Sequence, residues 1–590
     1  MLQLIFITPR RALLTLLLVT SIVWLPSIRG TFFNLDTDWL LISNPILHQN
    51  TLPLSTICFD LSKGTRLTLG AEFLPIRDIF VWLEIFLFQN SIVGYHFCSF
   101  VLYLGIVSIL FWVLYDVFEK NIFKSFWCTL LFSIHNTHVE SVAWLANQKD
   151  LLSLFFLLCG ISFFQKYQRD QRSDQFFLIF LFGVLAYWSK NTAIAFPAIL
   201  VCWSVLQTRN IHVRLWLSCL LVFLPLLLLS LQVGKNVGMF AHRRGENLWE
   251  MICITADVWG TYLGTLFWPQ NLSIFYTELP PTVSFSTICG ICFFLSTLLL
   301  PLYSYIKQQS NLYQISIACF LILFALLPVS QITPIQNLQA DRYLLLPSLG
   351  YSIIVVELYH LFSFKRVILP IVYATALIIQ TTTYLQIWQT EKGIWKNCTE
   401  KQPQEVRCWV SRSTTQDTPI DSLLILEEAK KIVGSHPHIL QGQGGIFLKI
   451  NDIEQATVFL EQAWQEDDSL RVAGNNLMQA YRKNNDLERA IEIGEQLTST
   501  HPNYPMGWNT LGTIYMDVQA YQKAQLCFQK ALDLQPYSLL PLLNLGNIAF
   551  VQEEYDIAIQ YWQSTLHIDP TIEHALKGIE AAKARLIVEK

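Results

Sequence analysis

The sequence predicts an all-α protein in two parts: a polytopic helical membrane domain of about eleven spans over residues 1–390, then a repeat-built α-solenoid. Three observations predict it: charge is scarce in the first two-thirds, apolar stretches of bilayer length recur there, and the last third repeats every 34 residues.

Of 590 residues, 53% are hydrophobic and 14% charged, against about a quarter charged in an ordinary soluble domain. Residues 391–590 hold 18 Lys+Arg and 26 Asp+Glu, leaving 22 and 18 for the 390 residues before them. So few charges cannot cover a soluble surface of that size, whereas a bilayer requires no such cover. A single soluble enzyme, a disordered chain and a collagen-like chain are excluded. The soluble third is net −8; an acidic surface repels phosphate backbones, so nucleic acid is not an expected partner.

Apolar stretches fall at 11–28, 96–115, 122–134, 150–165, 176–189, 193–207, 214–233, 284–306, 311–328, 343–362 and 367–387. The first is read as a span rather than a removed signal, because Leu25-Pro26-Ser27-Ile28-Arg29 offers no small-x-small cleavage site. Segments 78–92 and 248–267 carry Asp78 and Glu84, or Glu250 and Asp257. They are read as helices lying on, or dipping into, the outer face. Arg10, Arg11, Lys120, Lys124, Lys166, Arg169, Arg172, Arg209, Arg214, Lys307, Lys365 and Arg366 all fall at inner ends if the N-terminus is inside. Eleven crossings then put the loops at about 29–95 and 234–283, and the tail from 388, outside.

In the last third, Trp508, Leu511, Gly512, Tyr515, Ala524, Phe528, Ala531 and Pro536 recur 34 residues on at Leu542, Leu545, Gly546, Ala549, Ala558, Trp562, Thr565 and Pro570. Stepping back gives Leu477, Tyr481, Ala490 and Leu497, then Phe447, Ala456, Leu460 and Ala463. This is the tetratricopeptide pattern of paired antiparallel helices. It predicts units at 437–470, 471–504, 505–538 and 539–572 with a C-terminal capping helix, behind a junction and capping helix at 391–436. Such a solenoid offers a concave groove to an extended peptide, which makes a protein partner or acceptor its expected ligand. Most of the thirteen cysteines lie in apolar runs and act as small hydrophobes. Cys398 and Cys408 flank the junction and can pair if it faces an oxidising compartment.

Chemistry concentrates in the outer loops. Asp36 and Asp38 follow the first span at i and i+2, a spacing that can bind a divalent cation, share general-base work, or cap the next helix. His135 and His138, one turn apart if helical, precede Glu140 and could serve a metal, orient a phosphate, or be hydrogen-bonded structural groups. Lys149, Lys190 and Arg342 sit at outer membrane ends, where a cation needs an anionic partner. Asp150 and Asp341 could be those partners, or a lipid-linked phosphate could be, with Arg342 chelating through its planar fork.

The blocks LDTDWLLISNP (35–45), GYH (94–96), HNTHVESVAWLANQKDLLS (135–153), SKNTAIAFPA (189–198), YLGTLFWPQNLSIFY (262–276) and ADRYLLLPSLGY (340–351), followed by the repeats, resemble the transmembrane and tetratricopeptide-repeat proteins. Animal members are O-mannosyltransferases and bacterial relatives exist. The resemblance implies a GT-C membrane glycosyltransferase that takes a sugar, a hexose such as mannose, from a polyprenyl- or dolichyl-phosphate donor outside the cytoplasm. It implies Asp36 and Asp38 as the catalytic acids, Arg342, Lys190 and Lys149 on the donor phosphate, and His135, His138, Glu140, Asp150, Asp341 and His96 in support. Relatives tend to carry three consecutive acids in the first loop and HP in the histidine block; this chain has Thr37 and Asn136 there. The departure at Thr37 removes one carboxylate from any metal site and leaves metal use open. The expected transfer inverts the anomeric carbon in one displacement onto a Ser or Thr presented by the repeats. The block wording and small repeat number favour a bacterial inner membrane with periplasmic repeats over an endoplasmic reticulum membrane with luminal ones. Two other classes remain open, a non-enzymatic membrane-anchored scaffold and a transporter, for which Glu357 is the main intramembrane candidate.

Overall fold

A computed structural model of the chain describes residues 8–31, 33, 40–41, 44, 46–47, 54–89, 91–208, 213–238, 244–277, 282–332, 335–362 and 368–589. Asp36 and Asp38 lie outside the described residues. The described chain is helical, with no strand among its residues. It divides into two compact units, one of residues 1–43, 57–59 and 72–402 and one of residues 44–56, 60–71 and 403–590.

Among the described residues of the first unit seven helices are long and apolar enough to cross a membrane: Pro9–Arg29, Ile92–Val117, Leu145–Asp170, Val213–Val237, Phe285–Lys307, Ser310–Val329 and Ile368–Ile387. The other four stretches expected to cross form shorter helices, Ile122–Ser133, Ser173–Ser189, Phe196–Thr208 and Pro347–Leu361. At 1.5 Å per residue a helix of 12 residues such as Ile122–Ser133 rises about 18 Å, short of a core about 30 Å thick. The first helix is apolar on both faces: Ala12, Leu16 and Val23 are buried, while Leu14, Leu18 and Ile22 are each more than 60% exposed. That all-round apolarity belongs to a helix facing lipid rather than water.

Backbone groups freed at helix ends are taken up by neighbours, as a low-dielectric surround demands. Ile122–Ser133 ends with the Ser133 carbonyl accepting from Trp24 Nε1 at 2.7 Å and from the Tyr103 hydroxyl at 3.0 Å. The next carbonyl, Ile134, accepts from Thr381 Oγ1 at 2.6 Å. Three sequence-distant helices therefore hold the point from which residues 135–140 depart. Elsewhere Asn247 caps Leu248–Phe267 through the Glu250 amide at 3.0 Å, and Ser284 forms a capping box with Thr287 at the head of Phe285–Lys307. These two helices cross at Gly260 and Gly290, where a Cβ would overlap the Ser286 or Ala256 carbonyl oxygen. Small residues at such crossings let backbones meet.

The second unit stacks paired helices whose first members begin at Pro437, Arg471, Pro505 and Leu539, 34 residues apart. Each pair turns through a left-handed residue, Asn451, Asn485, Gln519 or Glu553, with φ of 60–66°. The following amide donates back to the preceding helix, as Asp486 N does to the Tyr481 carbonyl at 2.9 Å and Ala520 N to that of Tyr515 at 2.8 Å, the usual αL closure of a helix. Gly512 and Gly546 make room for Phe528 and Trp562 of the paired helix. Residues 60–71 fold with this unit. Lys63 Nζ donates to Asn503 Oδ1 at 2.6 Å, and a Cβ on Gly64 would lie 2.5 Å from the Pro536 ring.

Candidate functional site

Residues 135–150 turn sharply out of the short helix. His135 caps a single 3₁₀ turn, Asn136–His138, then come Val139–Ala143 and a second 3₁₀ turn before the helix Gln148–Asp170 begins. The two histidines are thus not on one α-helical face, as the spacing suggested, although their rings lie 5.8 Å apart. Each is fully buried and fully engaged. His135 Nδ1 meets Thr137 Oγ1 at 2.7 Å and Nε2 the Leu266 carbonyl at 2.9 Å. His138 Nδ1 meets the Tyr103 hydroxyl at 2.7 Å and Nε2 meets Ser348 Oγ at 2.8 Å. Burial pushes His135 down to about 4 and His138 well below the ordinary imidazole range, so both are neutral pegs between segments. No group of three or more His, Cys, Asp or Glu suited to a metal occurs among the described residues.

Arg342, on the 3₁₀ turn Asp341–Leu344, pairs with Glu140 twice: its guanidinium meets Glu140 Oε1, and its backbone N donates to Oε2 at 2.9 Å. The sequence offered Asp341 as its neighbour. Asp341 instead accepts from the hydroxyls of Tyr276 and Tyr384, the latter at 3.3 Å. Chain geometry explains the change, since consecutive side chains on a 3₁₀ turn point apart and a carboxylate 202 positions away fits better. Burial first, then the nearby Glu140 charge, push Asp341 well above the ordinary carboxylate range.

Lys190 pairs with Asp150, and its ammonium lies 5.5 Å from the centre of the Tyr343 ring, with the Arg342 guanidinium 5.0 Å from the same ring. The indole of Trp144 is 5.5 Å from Arg342. Lys190, Asp150 and Arg342 line one cavity of about 40 Å³ with Tyr343, Leu154 and Leu346 among its walls. The second oxygen of Asp150 is buried without a hydrogen-bond partner among the described residues. Lys149 does not line this cavity. It reaches Glu72 at 2.7 Å, and Arg77 meets the same Glu72 oxygen at 3.3 Å. Against the cost of burial, these cations hold Glu72 down to about 2. His96 is fully buried on Ile92–Val117, and a Cβ on Gly30 would lie 2.6 Å from its ring.

The cavity therefore unites Lys190 and Arg342 with Asp150 and leaves Lys149 and the histidines beside it. Sequence reasoning missed Glu72, Tyr276 and Tyr384. Tyr343 and Tyr276 stood inside the quoted blocks 340–351 and 262–276, which was the signal available for them. Chemically, the arrangement offers two cations and an aromatic face to an anionic group, and each cation already carries a carboxylate.

A family model for the tetratricopeptide repeat matches residues 507–538. The chain is similar to the protein O-mannosyl-transferase F38B6.6 of Caenorhabditis elegans, 23% identical over 407 residues that cover 66% of this chain and 57% of that protein. It is similar also to the human protein O-mannosyl-transferase TMTC3, 20% identical over 641 residues covering 95% of this chain and 68% of that one. The chain thus spans less than two thirds of the first of these relatives. Among solved structures, a thermophilic tetratricopeptide-repeat protein of Thermus thermophilus matches at 18% identity and a TM-score of 0.26, over 28% of this chain and 91% of its own.

Proposed function

We propose that the chain is a membrane glycosyltransferase of GT-C type that moves a hexose from a polyprenyl- or dolichyl-phosphate donor to a protein hydroxyl on the non-cytoplasmic side. The observation that carries the reading is the meeting of Lys190 and Arg342, 152 positions apart, on one cavity that also holds Asp150 and Tyr343. Similarity to two proteins named O-mannosyl-transferases supports it. Leaving-group charge develops on the donor phosphate, so fixed cations there stabilise the transition state more than the ground state. A cavity of about 40 Å³ is little more than one water's share of liquid, about 30 Å³, so donor binding must widen it. Asp36 or Asp38 would take the proton of the acceptor hydroxyl as it attacks the anomeric carbon in line, inverting it. The repeats would present the acceptor and raise its effective concentration. The non-cytoplasmic side would be periplasmic in a bacterium or luminal in a eukaryote.

The test measures hexose transfer from a lipid-linked donor by Asp36→Asn, Asp38→Asn and Arg342→Lys. Full activity in both aspartate variants would remove the catalytic assignment. The second reading, an anchored scaffold without catalysis, is favoured by the pairing of every one of these cations with a carboxylate. It predicts lipid-linked sugar pools that do not change when the protein is deleted.

A further inference from the structure

A second and much larger cavity, about 730 Å³, lies in the same unit between the helix Leu248–Phe267, the loop after it and the head of Phe285–Lys307. Its volume falls in the range of small-molecule sites. Among the described residues one carboxylate lines it and no Lys, Arg or His does. That acid, Asp257, accepts from the hydroxyls of Ser284, Ser286 and Thr287 on its Oδ1 alone, the last at 3.3 Å. Among the described residues an anion finds no counter-charge in these walls, and Asp257 Oδ2 can accept from a ligand hydroxyl.

What the walls do offer is amides and hydroxyls beside an indole. Gln270, Asn271, Gln339 and Gln402 line the cavity together with Thr277 and Tyr276. Gln402 Oε1 accepts from the Thr277 amide and hydroxyl, each at 3.2 Å, which fixes that side chain in place. Trp268, also in the wall, is 62% exposed. Neutral donors and acceptors around an open aromatic face suit an uncharged polyol whose C–H face can lie on the ring.

The two cavities share no lining residue, but one segment runs past both. Leu338 and Gln339 line the large cavity and Arg342 and Tyr343 the small one, so one short stretch of chain walls both. Tyr276 faces the large cavity and donates its hydroxyl to Asp341, the residue before Arg342.

We infer that the large cavity binds a hexose. The hexose class rests on the transfer reading above and on the amides, hydroxyls and indole of the described walls. The sugar can be the hexosyl group of the lipid donor or a sugar unit on the acceptor.

Gly264 supplies the test. It lines the cavity from inside a helix, and a Cβ built on it meets nothing within 4 Å. Gly264→Leu therefore fills the cavity without a clash at its root, and leucine favours helix more than glycine does. The full chain in lipid nanodiscs, free of glycoside detergents, is probed with methyl α-D-mannopyranoside by saturation-transfer NMR. The wild type and Gly264→Ala should bind, Gly264→Leu should lose at least tenfold in affinity, and Gln270→Ala/Asn271→Ala should weaken binding. No binding by the wild type, or equal binding by Gly264→Leu, overturns the inference. In a transfer assay a raised donor KM for Gly264→Leu assigns the donor's sugar and a raised acceptor KM the acceptor's; both unchanged overturns it. Sugar binding that depends on Gly264 without any transfer leaves the cavity standing and fells the transfer reading. Transfer with unchanged constants does the reverse.

Discussion

Glu140→Gln tests the bond on which the cation site depends. Glu140 is fully buried, and its partner Arg342 is 10% exposed at the side chain. At about 4 Å and an effective dielectric near 20, unlike charges attract by roughly 4 kcal/mol. Removing one member of a buried pair costs about 3–5 kcal/mol because the other stays buried unpaired. The glutamine keeps an oxygen to accept the Arg342 backbone N, so the lower end, about 3 kcal/mol, is expected. Arg342→Met alone leaves Glu140 unpaired beside Asp341 and should cost a similar amount. The double variant removes both charges and should cost only about 1–2 kcal/mol, giving a coupling energy of several kcal/mol. The assay is denaturant or thermal unfolding of the four proteins in one nanodisc lipid, with hexose transfer measured in parallel. Stability should return in the double variant and transfer should not. A coupling below about 0.5 kcal/mol would refute the buried-pair argument.

Other expectations follow from single contacts. His135 is held neutral, with its folded value of about 4 below the free imidazole value of 6.5; its contribution is complete above 6.5 and lost as pH falls from there toward 4. Unfolding followed from about pH 7 to 4.5 should show that loss, up to about 3 kcal/mol, and His135→Gln should flatten it. In the repeats, Gln519 and Glu553 occupy left-handed turns, and Gln519→Gly should stabilise the unit by about 1 kcal/mol, read as a rise in Tm. Ala520 begins its helix without a side-chain cap, unlike Asp486, and Ala520→Asp should add about 1 kcal/mol. Gly290→Ala should push two helices apart at the Ala256 carbonyl, lowering Tm by several degrees; an unchanged Tm would show that the crossing relaxes freely.

The helical class, the long spans and the repeat spacing were legible because each is a local property of composition or period. The left-handed turns at Asn451, Asn485, Gln519 and Glu553 recur with that period, yet two of the four residues carry no turn chemistry, so only the alignment located them. Ion-pair partners were legible only in part: Asp150, offered as an anionic partner, does meet Lys190, but the partners of Lys149 and Arg342 were not foreseen. Glu72 is 77 positions from Lys149 and Glu140 is 202 from Arg342, and nothing in either local segment marks the match. Adjacent candidates such as Asp341 mislead for the same reason: proximity in sequence says little about which way a side chain leaves a 3₁₀ turn. The short spans failed a length criterion that assumes each helix crosses alone. Ile122–Ser133 is one whose end is held by side chains from three neighbours.

Charge balance then bears on how such a site could act. Arg77, Lys149, Lys190 and Arg342 face Glu72, Asp78, Asp150, Glu140 and Asp341, so the cluster carries one acid more than it has cations. A bare phosphate entering it would meet net repulsion unless Asp341 keeps its proton. Burial and the Glu140 charge, which raise Asp341, are the features that keep that proton in place. The two tyrosines on Asp341 hold its carboxyl in position in either state, and Tyr276 carries that position to the wall of the larger cavity. On the proposed reading, phosphate binding and proton retention would thus meet at one dipeptide, Asp341–Arg342, and a site of matched ion pairs would still admit an anion.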